Sequence, residues 1–199
     1  GMGWCADGRV NVVDREMLTA MRRAGCDWIA YGIESANQRI LDEMKKGVSV
    51  EQARKAVRLT KELGFTCATS YIVGMPSETP DSIEDTVRFI LEEDLGFGGM
   101  TYATPYPGAA LFEAAVRSGK ITHEEDFIEQ LGDAIRFLIN LTVIPDRLLI
   151  RLKESAEDRI WQRYGPFTKT LLSAVPRPIG YGIKVIWLLR YWGLRLTIR

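Results

Sequence analysis

The chain has 199 residues, with 26 basic and 26 acidic side chains, one histidine and three cysteines. His123 has no cysteine or histidine near it and no Ser/His/Asp set around it, which argues against a zinc site and against triad hydrolysis. Cys5, Cys26 and Cys67 lie 21 and 41 residues apart, too scattered for a secreted disulfide framework, so the chain reads as cytosolic. Its length also falls short of the about 250 residues that a closed eight-unit α/β barrel usually needs.

In chain order, apolar runs bounded by glycine predict strands at residues 3–10, 27–33, 66–73 and 99–104, with helices over 14–24, 50–63 and 79–93 between them. Asp14 and Thr79 are suited to cap their helices, and Pro80 to the first helical position. A short extra helix is expected at 36–44. Two helix stops of the same kind, Arg22-Arg23-Ala24-Gly25 and Lys61-Glu62-Leu63-Gly64, each feed a strand. Strands separated by such helices imply a parallel sheet with right-handed crossovers. Four parallel strands leave two edges that folded proteins cover or pair. Because a predicted strand begins almost at once, the sequence reads as the inside of a larger fold.

Two of these strands end in polar, glycine-bearing turns: Tyr31-Gly32-Ile33-Glu34-Ser35, and 39 residues after Ser35, Gly74-Met75-Pro76-Ser77-Glu78-Thr79. That edge is where ligands sit in parallel α/β folds. Together with Trp4-Cys5-Ala6-Asp7-Gly8-Arg9, Ala24-Gly25-Cys26, Lys46-Gly47 and Thr104-Pro105-Tyr106-Pro107-Gly108, these strings resemble, in order and spacing, the second half of the radical S-adenosylmethionine (SAM) core. The likeness covers about residues 3–115 and is greatest to enzymes that carry an N-terminal cobalamin-binding domain.

That resemblance implies a partial TIM-like barrel, the back half of a (β/α)6 core at residues 1–120, followed by a helical extension at 121–199. It also implies a [4Fe-4S] cluster that cleaves SAM to a 5′-deoxyadenosyl radical, with cobalamin-dependent methyl transfer or rearrangement as the outcome. Such cofactors do the difficult chemistry while the protein positions them. The family's Cys-x3-Cys-x2-Cys loop is absent from this sequence, so the missing N-terminal half of the same enzyme would have to supply the cluster ligands, and the fragment alone should be inactive. The three cysteines are expected to be buried apolar residues.

Carried over residue by residue, the likeness gives Glu34 to the SAM ribose, with Ser35 adding a hydroxyl contact. Lys46 falls near the SAM carboxylate, and Arg9 is a second candidate for the same anion. Gly74, Met75 and Pro76 lie beside the adenine, and Ser70 is placed to reach the ribose. Read without the family, Glu34 is a helix-capping carboxylate, Lys46 a helix-end charge, Arg9 a rim charge, and Ser77, Glu78 and Thr79 caps of the next helix.

From Ile121 to Arg163 the pattern reads as helical, with Phe127, Leu131, Ile135, Leu138 and Leu141 on one face. Beyond Asp158 there are eight bases and no acids, so a tail of +8 follows a body of −8. Residues 179–199 mix bases and aromatics with an apolar run that Lys184 and Arg190 interrupt; this suits peripheral contact with the inner face of a membrane rather than a span. The aromatics form no RNA-binding motif, so nucleic acid is not expected as a partner. A small-molecule, lipid or tetrapyrrole-like substrate fits this reading. A different class stays open: a stand-alone binding or interaction module built on a half-barrel and a basic tail.

Overall fold

A computed structural model describes residues 3–132 and 134–163. The elements run β1 (Trp4–Gly8), α1 (Arg15–Arg23), β2 (Cys26–Glu34), α2 (Gln38–Glu43), α3 (Val50–Glu62), β3 (Thr66–Val73), α4 (Pro80–Glu92), β4 (Gly96–Tyr102), α5 (Ala110–Arg117), α6 (Glu124–Glu129) and α7 (Asp146–Gln162). The four strands pair in parallel in the order β1-β2-β3-β4. This is the partial barrel anticipated from the sequence. β4 begins three residues earlier than expected, because Gly96 already pairs with Ala68 of β3.

Local chemistry sets the helix boundaries. Asp14 accepts from the Met17 amide at 2.8 Å, and Ser49 with Gln52 and Thr79 with Ser82 each close a reciprocal capping box. Pro80 occupies the first turn of α4. Alternation along the strands then divides the sheet into two faces. Ile29, Tyr31 and Ile33 of β2 and Cys67, Tyr71 and Val73 of β3 are all buried, packed with Leu18 of α1, Val57 of α3, Val87 and Ile90 of α4, and Leu149 and Ile160 of α7. The Tyr31 hydroxyl meets Thr60 Oγ1 at 2.8 Å within this layer, and burial pushes its pKa up to about 12. On the opposite face Asp7, Thr66 and Ser70 are exposed, and Trp28, Ala30, Gly32 and Ile72 are half-buried.

Two expectations need correction. The stretch 121–163 is not continuously helical: α6 ends at Glu129, and α7 starts only after Pro145. Asn140 organises the intervening loop, its Oδ1 accepting from the Thr142 amide and hydroxyl at 2.8 Å each and its Nδ2 donating to the Ile144 carbonyl at 2.6 Å. Such side-chain bonds offer the backbone an alternative to a helix, and apolar spacing alone does not reveal them. The cysteines also differ from one another. Cys26 and Cys67 are buried, with burial pushing the Cys67 thiol up to about 12, whereas Cys5 is exposed. Residues 164–199, including the aromatic and basic tail, lie outside the described residues. Among the described residues no helix is long and apolar enough to cross a membrane.

Candidate functional site

The carboxyl ends of β1, β2 and β3 bring the polar residues together. β2 departs from regular register between Gly32 and Glu34, and Glu34 adopts φ 72°, a left-handed conformation that non-glycine residues seldom take. Strain of this kind costs about 1–3 kcal/mol and concentrates at functional sites. The bend lays the Glu34 carboxylate over Gly32: a Cβ built on Gly32 would stand 2.5 Å from Glu34 Oε1. Because Tyr31 and Ile33 point into the helical layer, the carboxylate lies on the open face. Gly32 pairs with Ser70, whose exposed side chain shares that face.

Lys46, three residues beyond α2, donates to Glu34 Oε1 at 2.7 Å. Both side chains are largely sheltered, 25% and 18% exposed respectively. Arg9, exposed just past β1, donates to the Lys46 carbonyl at 3.4 Å. The structure therefore gathers Arg9, Glu34, Lys46 and Ser70 at one corner. Glu34 caps no helix, since Asn37 caps α2.

Ser35 stands apart. It is 2% exposed, its hydroxyl accepts from the Asn37 amide at 3.1 Å, and it lies 3.4 Å from Thr86 Oγ1 on α4. Thr86 in turn accepts from the Ala36 amide at 3.0 Å, so Ser35 fastens the turn after β2 to α4.

The second turn follows β3. Gly74 takes φ 98°, where a side chain would be strained. Its N–H donates to Glu78 Oε2 at 3.1 Å, and the Glu78 amide closes the turn on the Met75 carbonyl at 2.8 Å. Met75 is buried with Ile40 of α2 and Ala103, while Pro76 is half-buried. From α2, Arg39 donates to the Ser77 carbonyl at 2.7 Å and Glu43 accepts from the Ser77 hydroxyl at 2.7 Å. One short helix thereby braces this second turn.

Of the three residues expected to cap α4, only Thr79 behaves simply so. Glu78 is 3% exposed and holds both Gly74 and the Ser82 hydroxyl; burial raises its pKa, opposed by those hydrogen bonds. The signal that sequence reasoning passed over was a carboxylate four residues after a turn glycine.

The donor set does not suit an iron–sulfur cluster. Among the described residues no three His, Cys, Asp or Glu side chains are grouped to hold a metal, and two of the three thiols are buried. The corner offers a carboxylate, a hydroxyl and cations around a glycine floor, with a backbone turn at Gly74–Pro76 alongside.

Comparison with known proteins bears on the family and the fold. Residues 5–90 match the Radical SAM superfamily. Over 115 residues, 58% of this chain, the sequence is 38% identical to an uncharacterized methyltransferase, PH0819, of Pyrococcus horikoshii. Over 127 residues, 64% of this chain, it is 36% identical to a putative methylthiotransferase, MJ0865, of Methanocaldococcus jannaschii. The matches span only 25% and 28% of those relatives. In fold, 80% of the chain superposes on 32% of coproporphyrinogen III oxidase (HemN) from Escherichia coli, a radical SAM enzyme, with a TM-score of 0.58 at 14% identity. Through residues 5–90, the chain is therefore similar to the radical SAM superfamily.

Proposed function

We propose that this chain is the SAM-binding back portion of a radical SAM enzyme, with the cluster thiolates supplied from outside its own sequence. The observation that carries this reading is the joining of Glu34, Lys46, Arg9 and Ser70 at one corner of the open face, next to the braced Gly74 turn. A carboxylate can accept from both hydroxyls of a ribose, and the Ser70 hydroxyl can add a bond from the neighbouring strand. The glycine-bearing turn at Gly74, Met75 and Pro76 suits close approach of an adenine ring. Cations at Arg9 and Lys46 favour the anionic, amino-acid end.

In the complete enzyme a [4Fe-4S] cluster would supply the reductive cleavage of SAM to a 5′-deoxyadenosyl radical, and the family resemblance extends this to cobalamin-dependent methyl transfer or rearrangement. The chain's own share is to bind and orient the nucleoside and to present the open face to a small-molecule substrate. Anaerobic reconstitution tests this division. The 199-residue polypeptide should form no stoichiometric cluster and release no 5′-deoxyadenosine, whereas the product of the complete gene should do both. A stoichiometric cluster on the 199-residue chain would overturn the division of ligands. A complete gene product that fails to bind SAM would overturn the assignment.

A further inference from the structure

The resemblance gives Glu34 and Lys46 to different ends of the ligand, but the structure ties them to each other. Lys46 Nζ lies 2.7 Å from Glu34 Oε1, in a pair about four-fifths shielded from water. Glu34 Oε2 accepts no hydrogen bond among the described residues. The carboxylate thus has one oxygen clamped and one oxygen available.

Three further features hold that arrangement. The left-handed φ of Glu34 turns its side chain back along β2. Gly32 leaves the space that the carboxylate fills, since any Cβ there would meet Oε1 at 2.5 Å and lie 3.6 Å from Lys46 Nζ. Arg9 and Gln38 secure the loop that carries Lys46: Arg9 donates to the Lys46 carbonyl at 3.4 Å, and Gln38 donates to the Val48 carbonyl at 3.3 Å. A sheltered ammonium–carboxylate bond is stronger than a neutral one and restricts how the carboxylate can rotate.

We propose that Lys46 is a positioning residue: it clamps one oxygen of the Glu34 carboxylate so that the other is fixed toward the vicinal diol of the bound nucleoside, with Gly32 keeping the space in which the carboxylate rests. The proposal rests on the reading of Glu34 as the ribose-binding residue and adds how that residue is oriented. It separates Lys46 from a role at the amino-acid end of the ligand, which is left to Arg9.

The two roles predict opposite probe dependence. Dissociation constants of the complete gene product would be measured by calorimetry for S-adenosylhomocysteine, for 5′-methylthioadenosine, which keeps the diol and lacks the amino acid, and for 2′-deoxy-5′-methylthioadenosine. Lys46→Met should weaken S-adenosylhomocysteine and methylthioadenosine alike, by about tenfold, and should largely erase the preference for methylthioadenosine over its 2′-deoxy counterpart. Gly32→Ala, with Lys46 intact, should reproduce that pattern, and Lys46→Arg should retain most of the preference. If Lys46→Met weakened S-adenosylhomocysteine alone, Lys46 would be a direct ligand of the carboxylate and the proposal would fail; unchanged affinity for all three probes would also overturn it. Glu34→Gln tests the underlying reading separately, since undiminished diol preference there would remove Glu34 from the ribose whatever Lys46 does. Should Gly32→Ala fail to fold, the Lys46 pair decides the matter.

Discussion

The two faces of the sheet are built on opposite terms. On one, Ile29 and Ile33 are essentially inaccessible to water and interlock with Leu18, Val57, Val87, Leu149 and Ile160 of four helices. On the other, Asp7, Ser70, Gly32 and Ala30 leave space, and the polar groups at the strand ends are held by hydrogen bonds rather than by packing. The first face makes the fold, and the second, strained at Glu34, carries the polar groups to which the proposed function assigns the nucleoside.

Substitutions should sharpen that contrast. Leu18→Ala, at a site with no exposure, should cost about 2–5 kcal/mol in chemical denaturation, whereas a cost below about 1 kcal/mol would mean that α1 contributes little to the core. Glu93, at the end of α4, accepts from Arg58 at 2.7 Å through both oxygens and also from Arg54. Removing its charge by Glu93→Gln should cost about 1.5–3 kcal/mol near neutral pH. At the site, Ser70→Ala should change stability by less than about 0.5 kcal/mol while weakening nucleoside binding; a large loss of stability would place Ser70 in the core and not on the open face.

The pH dependence of the two buried carboxylates runs in opposite directions. The Arg58 hydrogen bonds, followed by those of Arg54, hold the Glu93 pKa below the usual glutamate range. Its contribution is therefore present above about pH 4.3 and lost as pH falls through the lowered folded value. Burial raises the Glu78 pKa, so folding favours its protonated form, and stability declines as pH rises from the unfolded value through the folded one. Glu78→Gln should flatten the second slope and Glu93→Gln the first, as read from denaturation midpoints across pH. Identical profiles for the two variants would contradict the assignment.

Much of this was legible in the sequence for physical reasons that can be named. Asp14, Thr79 and Pro80 carry their capping chemistry in their identity, and apolar runs bounded by glycine placed Tyr31, Ile33, Tyr71 and Val73 in strands. Ser35 is deeply buried against Thr86, 51 residues away, a contact that no local pattern encodes. The loop between α6 and α7 carries apolar residues at helical spacing, and the local bonds from Asn140 to Thr142 and Ile144 that compete with a helix leave no mark on that spacing. The pairing of Glu34 with Lys46 was hidden because it depends on three-dimensional proximity: only the bend in β2 brings the two side chains into contact.

Hydrogen–deuterium exchange of the complete gene product with and without S-adenosylhomocysteine tests the central claim most directly. The account predicts ligand-dependent protection at residues 32–37, 45–48 and 70–76, with the helix-covered core unchanged. Protection confined to other segments, or none at these three, would contradict it.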